Sequence, residues 1–180
     1  MAAQLTARNE KSDILRARAT AHARKPAAQP AAEAILEIIE FGLAGEWYAL
    51  EAAHVREVCP LEDLTPLPCT PPFVLGLVNV RGRIYPVIDL KKFFDLPEQG
   101  ITDLHRILLV HTAEMQLGIL ADTIAGVRSI RLDTIQPSLP TLTGIRAAYL
   151  KGVTAERLVI LDLARILADG RIIVHEEVEG

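Results

Sequence analysis

The chain has 180 residues and a formal net charge of −4, and 50% of its residues are hydrophobic but only 4% aromatic. This composition excludes an intrinsically disordered chain and indicates one domain, or two small ones, with a mainly aliphatic core. The weak negative charge gives no reason to expect a nucleic-acid partner. No apolar run reaches membrane-spanning length and the N-terminus lacks a signal-peptide core, so we expect a cytoplasmic protein without direct membrane insertion.

Residues 1–33 differ from the rest of the chain because they are rich in alanine and arginine and contain Pro26 and Pro30. Residues 12–25 have the composition of a helix, but their apolar stripe is thin. We therefore expect a mobile or weakly helical extension that is not part of the core. A segment that folds on a partner is the alternative.

From residue 35 onward the pattern becomes one of short strands separated by turns. Residues 35–43 and 46–50 predict two strands joined by a turn at Ala44 and Gly45. Residues 64–72 contain four of the eleven prolines, which indicates an irregular connection. Residues 71–75 predict one helical turn before the next strand, since proline is tolerated at a helix start.

The stretch 76–94 predicts a strand, a tight turn, a second strand and a short helix. Residues on both sides of Arg81 and Gly82 are β-branched or aromatic, which favours strands, and the glycine suits a chain reversal. Asp89 stands where a helix N-cap is expected, with apolar residues at helical spacing behind it. An arginine in such a turn is usually only solvated, so by itself it does not indicate a site.

The second half of the chain repeats the first. Residues 48–58 align without gaps on residues 117–127, and residues 86–94 align on residues 159–167. Two matches in the same order indicate an internal duplication and therefore two similar subdomains. Many short strands with no long helix between them favour an all-β fold of small closed barrels or sandwiches.

The sequence offers little for catalysis or metal binding. The histidines are scattered, and Cys59 and Cys69 lack the spacing of a zinc site, so we expect free thiols. Asp89 and Asp162 each stand at a helix N-cap, which explains both carboxylates without chemistry. Phosphate-binding loops, dinucleotide fingerprints and HExxH motifs are also absent from the sequence. We therefore predict a protein that is not an enzyme and needs no cofactor or metal.

One motif carries a family resemblance. Residues 76–90 read GLVNVRGRIYPVIDL, which resembles the signature G-x-V-N-x-R-G-x-I-x-P-V-x-D-L of CheW-type chemotaxis coupling proteins. Val80 replaces the leucine that is more frequent in that family. The wider resemblance extends over residues 35–170 and implies two five-stranded SH3-like barrels packed on a shared apolar core.

The resemblance also implies how the chain is divided. Residues 1–33 form the extension, residues 34–170 the CheW-like domain with two pseudo-repeated barrels, and residues 171–180 a tail. Residues 171–174 either add a last strand or fray.

By resemblance, the protein is a signal-transduction adaptor that couples chemoreceptors to a CheA-type histidine kinase in signalling arrays. The cytoplasmic tip of the receptor, a methyl-accepting chemotaxis protein, is then expected in the groove between the barrels. The kinase regulatory domain is expected at the end of the first barrel. Two alternatives remain: a CheW-like adaptor of a non-flagellar pathway, such as pilus motility or developmental signalling, and a sensor that binds a small molecule between the barrels.

The resemblance also assigns partner-binding residues. They are Val55, Glu57, Gly76, Asn79, Arg81 and Gly82. Arg81 is expected either to contact the receptor or to brace the turn internally, and Asn79 and Gly82 to shape that turn. Gly76 is expected to let a partner approach closely. Leu75 stands where the family often has a basic residue, so receptor affinity or pairing is expected to differ.

Overall fold

A computed structural model describes residues 34–97, 105–137 and 145–172. The predictions for the extension 1–33, and for the tail beyond residue 172, lie outside the described residues. The strands are β1 (Ile35–Leu43), β2 (Glu46–Glu51), β3 (Val55–Pro60), β4 (Val74–Val80), β5 (Arg83–Ile88), β6 (Arg106–His111), β7 (Gln116–Ala121), β8 (Thr123–Arg131), β9 (Leu150–Val153) and β10 (Val159–Leu161). The helices are α1 (Leu90–Phe93) and α2 (Leu163–Leu167), and short 3-10 turns lie at Ala52–His54, Leu132–Thr134 and Ile145–Tyr149.

The strands form two five-stranded sheets. Barrel 1 has the strand order β8-β1-β2-β10-β9, and barrel 2 has the order β3-β6-β7-β5-β4. In each barrel one central pair is parallel, β2 with β10 and β5 with β7, and the other pairs are antiparallel. The predicted all-β fold of two small SH3-like barrels is confirmed.

In each barrel, the segment that follows one edge strand (β3 or β8) pairs with the opposite edge strand (β4 or β9) and so closes the sheet. Thr65, after β3, pairs with β4, and Gln136, after β8, pairs with β9. Both contacts are so close that only glycine fits on the facing strand. A Cβ atom on Gly76 would lie 2.1 Å from the carbonyl oxygen of Thr65, and one on Gly152 would lie 2.5 Å from that of Gln136. The two glycines therefore permit closure of the two barrels.

The strand register shows the duplication inferred from the sequence. Val87 pairs with Gly118 in barrel 2, and Ile160 pairs with Ala49 in barrel 1. The alignment makes these two pairs equivalent. The duplicated halves do not each form one barrel, however. Barrel 2 is the continuous segment from β3 to β7, whereas barrel 1 combines β1 and β2 with β8, β9 and β10.

The core is mainly aliphatic, as the composition predicts, and it has three parts. The interior of barrel 1 contains Ile38, Ala49, Ile130, Leu158 and Ile160, and that of barrel 2 contains Val78, Tyr85, Val87, Ile107 and Leu109. The largest cluster, the shared core, joins both barrels and both helices and includes Phe41, Tyr48, Leu50, Ile88, Phe93, Leu108, Ile119, Leu161 and Ile166. Successive residues of a strand point to opposite faces. In the central strands one face packs in a barrel interior and the other in the shared core, so these strands are buried on both faces.

Both predicted helix caps are confirmed. Oδ1 of Asp89 accepts a hydrogen bond from the backbone N–H of Lys91 at 2.9 Å, and Oδ1 of Asp162 accepts one from that of Arg165 at 3.1 Å. Each cap starts a short helix whose apolar residues enter the shared core.

The helical turn predicted for residues 71–75 is shorter than expected. The N–H of Val74 donates to the carbonyl oxygen of Pro71 at 2.9 Å, which closes a single turn. Strand β4 begins at Val74, because this residue pairs with Ile88 of β5. Sheet pairing therefore ends the turn before it becomes a helix.

Candidate functional site

The motif turn Arg81–Gly82 joins β4 to β5 at one end of barrel 2. Its residues have φ angles of +51° and +80°, and Val80 pairs directly with Arg83. Two successive left-handed residues between antiparallel strands are the mark of a type I′ hairpin. Oδ1 of Asn79 accepts a hydrogen bond from the N–H of Gly82 at 2.9 Å. Asn79 and Gly82 thus shape the turn.

Arg81 reaches from this turn to β3. Its Nη2 donates to Oε1 of Glu57 at 2.6 Å. The side chain of Arg81 is 80% exposed, and that of Glu57 is 25% exposed. The pair borders a small cavity of about 130 Å³ at the end of barrel 2, with Tyr85 and Leu109 among its lining residues. The structure thus brings two predicted site residues together, and Arg81 braces the barrel end while most of its surface stays accessible.

A β-bulge in β3 lies between Val55 and Glu57, the two predicted site residues on this strand. Val55 pairs with Val110 and Glu57 with Leu109, so Arg56 is the extra residue. In a regular strand Val55 and Glu57 would share a face. The bulge instead leaves Val55 packed against the shared core, whereas Glu57 pairs with a residue of the barrel interior.

Gly76 lies away from the turn, where β4 meets the closing segment at Thr65 and Pro66. Its φ is +144°, so a side chain would be strained there even without the contact. The close approach that this glycine permits in the structure is that of the chain's own backbone. Its contact with a partner stays a prediction. Leu75, at the position often basic in the family, packs against the interior of barrel 2.

Exposed valines mark equivalent positions on the two barrels. Val58 on β3 is 38% exposed and Val127 on β8 is 66% exposed. Val58 pairs with Leu108 and Val127 with Ile39, and both partners are buried in the shared core. Each barrel therefore carries an exposed apolar residue at the border of that core. The internal alignment of residues 48–58 with 117–127 makes these two valines equivalent. The alternation of apolar and polar residues does not show that they are exposed rather than buried.

Two other exposed apolar residues lie at barrel ends. Ile84 follows the motif turn and is 67% exposed, and Trp47 follows the Ala44–Gly45 turn of barrel 1 and is 46% exposed. Single exposed apolar residues are common on protein surfaces, but tryptophan is enriched among binding hot spots, which makes Trp47 the more informative of the two.

The sequence predicts no catalytic role for the metal-ligating and nucleophilic side chains of the described ranges. Within those ranges, no group of three or more His, Cys, Asp or Glu side chains converges as a metal site. Cys59 and Cys69 are both free, as predicted, and burial together with the nearby Glu57 carboxylate raises the pKa of Cys59. A raised thiol pKa makes the nucleophilic thiolate scarce. Among the described residues, no helix combines the length and apolar character needed to cross a bilayer.

Comparison with known proteins decides the family. The family model described as the CheW-like domain matches residues 37–171. The chain belongs to the CheW-like family. It is 31% identical over 139 residues to the chemotaxis protein CheW of Treponema pallidum, covering 73% of this chain and 82% of that protein. It is 36% identical over 124 residues to protein FrzA of Myxococcus xanthus, covering 66% of this chain and 76% of that protein.

A solved structure supports the same assignment. The crystal structure of the scaffolding protein TtCheW from Thermoanaerobacter tengcongensis matches with a TM-score of 0.62 and 34% sequence identity. The match covers 71% of this chain and 89% of that one. The CheW resemblance inferred from the motif at residues 76–90 is therefore confirmed. This CheW-like chain is a signalling adaptor, built as a scaffold for other proteins.

Proposed function

We propose that this CheW-like protein is a cytoplasmic, non-catalytic adaptor that couples the tip of a chemoreceptor to the regulatory domain of a CheA-type histidine kinase. The family assignment supports an adaptor, and the exposed apolar side chains at the border of the shared core and at the barrel ends support two separate binding surfaces. The observation that carries the proposal is the pair of exposed valines, Val58 and Val127, at matching positions on the two barrels.

The receptor tip is proposed to bind where the two barrels meet. Val58 and Val127 each border the shared core, and their exposed apolar surface suits the apolar stripe of a helical hairpin. The six motif residues contribute in different ways. The proposed set is Val55, Glu57, Gly76, Asn79, Arg81 and Gly82. Arg81 offers its exposed guanidinium to the receptor's carboxylates or carbonyls, and Glu57 holds the side chain in place.

The kinase regulatory domain is proposed to bind at the end of barrel 1. Trp47 is partly exposed beside the β1–β2 turn, and tryptophan is one of the residue types enriched among binding hot spots. This surface is distinct from the valine pair. One molecule could therefore hold both partners at once, as an adaptor must.

Titration of a receptor signalling-tip fragment and of the kinase regulatory domain against variants tests this assignment. We expect Val127→Asp to weaken receptor binding about tenfold or more, because it places a charge in an apolar contact, and to leave kinase binding unchanged. Leu132→Asp is the matched control, since Leu132 is also exposed, at 41%, but lies in the 3-10 turn after β8. Equal receptor affinity of the wild type and Val127→Asp would place the receptor elsewhere.

The match to protein FrzA favours a second candidate, a CheW-like adaptor of a chemosensory pathway with a non-flagellar output. The fold and surfaces would be the same and only the partners would differ. Affinity purification of the full-length chain from its native cells separates the two, because the receptors and kinase that co-purify define the pathway. A sensor of small molecules would instead retain a ligand in native mass spectrometry.

A further inference from the structure

Asp122 is the residue at which the chain passes from barrel 2 to barrel 1. It lies between β7, which ends at Ala121, and β8, which begins at Thr123. Its backbone N–H donates to the carbonyl oxygen of Gly42 in β1 at 3.0 Å. The backbone at this crossover is therefore attached to barrel 1.

The two carboxylate oxygens of Asp122 bind opposite barrels. Oδ2 accepts a hydrogen bond from the N–H of Ala44, in the β1–β2 turn of barrel 1, at 2.8 Å. Oδ1 accepts a hydrogen bond from Nζ of Lys91 in α1, and it lies 3.0 Å from Nε2 of His105, directly before β6 of barrel 2. Because a carboxylate only accepts, Nε2 of His105 carries the hydrogen. We refer to Lys91, His105 and Asp122 as the crossover cluster.

The crossover cluster is largely withdrawn from solvent. The side chains of Lys91, His105 and Asp122 are 3%, 6% and 18% exposed. Buried ion pairs are often no more stabilising than apolar residues of the same size, and their best-attested contribution is to select one arrangement among several. A cluster that contacts both barrels is placed to select their relative position.

The duplicated crossover lacks such a cluster. The alignment of residues 48–58 with 117–127 makes Ala53 the equivalent of Asp122, and Ala53 is exposed. The second alignment makes Ala164 in α2 the equivalent of Lys91. The duplicated crossover of the fold thus forms with alanine at both of these positions, without an equivalent of the Lys91–Asp122 pair. The charges at the other crossover are therefore not a general requirement of the fold.

Strand β8, which begins directly after Asp122, carries Val127, whereas Val58 lies on barrel 2. We propose that the crossover cluster fixes the position of barrel 1 relative to barrel 2, and thereby the separation of the two valines that border the receptor groove. The three residues act as positioning residues and need not touch the receptor. The consequence for receptor binding rests on the proposed function, whereas the effect on barrel position does not.

The test uses the full-length chain carrying Lys91→Met and Asp122→Asn. This double variant removes both charges, while the asparagine still accepts from Ala44. We expect it to remain folded, to show a shifted or broader distance between spin labels at Ile84→Cys and Val127→Cys, and to bind a receptor-tip fragment roughly two- to thirtyfold more weakly when unlabelled. The labelled proteins carry Cys59→Ala and Cys69→Ser, so that only the introduced thiols react.

The matched control removes another lysine–carboxylate pair, Lys151 and Glu51, which joins two strands of barrel 1 alone. Lys151→Met with Glu51→Gln is expected to leave the label distance and receptor affinity unchanged. The rescue variant Lys91→Arg retains the ion pair and should keep the wild-type distance.

If the double variant does not fold, Asp122→Glu replaces it, because it keeps the charge but displaces the carboxylate by one methylene. An unchanged label distance in the folded variant overturns the proposal, whatever happens to receptor binding. A wild-type chain that does not bind the receptor fragment refutes the proposed function instead, and the label distances still decide on the crossover cluster.

Discussion

At the scale of single residues, Arg81 combines an internal ion pair with a largely exposed side chain. Its 2.6 Å bond to Glu57 braces the end of barrel 2, yet 80% of its side chain is exposed. An exposed ion pair of this kind usually contributes about 0–1 kcal/mol to stability. The two expectations from the sequence, partner contact and internal brace, are therefore compatible.

Arg81→Ala is expected to lower the free energy of unfolding by no more than about 1 kcal/mol, because the pair is solvated. Loss of a charged hydrogen bond to the receptor should cost roughly 1.5–3 kcal/mol of binding, or about ten- to a hundredfold in affinity. Chemical denaturation and receptor titration measure the two effects.

Glu57→Gln is the informative companion of Arg81→Ala. If Arg81 contacts the receptor directly, Glu57→Gln should retain most of the affinity, whereas a purely bracing arginine predicts equal losses in both variants. If Arg81→Ala had the stability and the receptor affinity of the wild type, Arg81 would be neither a receptor contact nor a brace but only a solvated turn residue.

At the scale of elements, the two short helices depend on their caps. α1 and α2 each have only about one turn, so their termini make up most of their backbone hydrogen bonding. Asp89 and Asp162 occupy equivalent cap positions but differ in surroundings, since Asp89 is buried and Asp162 is not. Burial raises the pKa of Asp89, against the opposing effect of the Lys91 N–H and of the Lys91 and Lys92 charges.

Asp89→Ala is expected to destabilise the protein by about 1 kcal/mol or more, since the cap is lost. Asp89→Asn keeps an acceptor and removes a buried charge, so its stability at pH 7 should be close to that of the wild type. Because the folded-state pKa of Asp89 lies above the unfolded value of 3.8, the wild type should lose stability relative to Asp89→Asn as pH rises from 3.8 through the raised folded pKa, and the difference should stay constant at higher pH.

The control is the same pair of substitutions, to alanine and to asparagine, at Asp162, whose cap is not buried. Urea unfolding of these variants measures the effect of losing a cap when no buried charge is removed. Equal stability of Asp89→Ala and Asp89→Asn across pH would show that the cap at α1 contributes nothing.

At the scale of the whole molecule, the apolar shared core and the charged crossover cluster both join the two barrels. The core supplies most of the buried surface, but apolar contacts are not directional. The crossover cluster adds contacts with defined geometry. Burial alone would raise the pKa of Asp122, but hydrogen bonds from Lys91 and from the N–H of Ala44, with the charges of Lys91 and His105, lower it overall.

Because the pKa of Asp122 is lower in the folded state than in the unfolded state, acidification lowers the free energy of unfolding. The contribution of Asp122 is present above the unfolded carboxyl pKa of 3.8 and is lost as pH falls through the lower folded value. We therefore expect the wild type to lose more stability below about pH 4 than the Lys91→Met, Asp122→Asn variant. Denaturant titrations at several acidic pH values check this difference, and parallel acid curves for the two proteins would contradict it.

The sequence by itself determined the local features of this protein. The strands predicted at 35–43 and 46–50, the Arg81–Gly82 turn and the Asp89 cap follow from residues that are neighbours in sequence. The duplication and the family motif are also visible in the sequence alone. Local propensity and side-chain periodicity fix such features because each depends on residues that are close along the chain.

Only the tertiary structure decided which strands share a barrel and which of the predicted site residues stay exposed. Barrel 1 joins the two ends of the domain around barrel 2, the bulge at Arg56 separates Val55 from Glu57, and the chain's own closing segment occupies the space beside Gly76. The contacts of Asp122 with Lys91 and Ala44 likewise join segments that are distant in sequence. Pairing across such distances depends on the packing of the whole molecule, so no local pattern carries it.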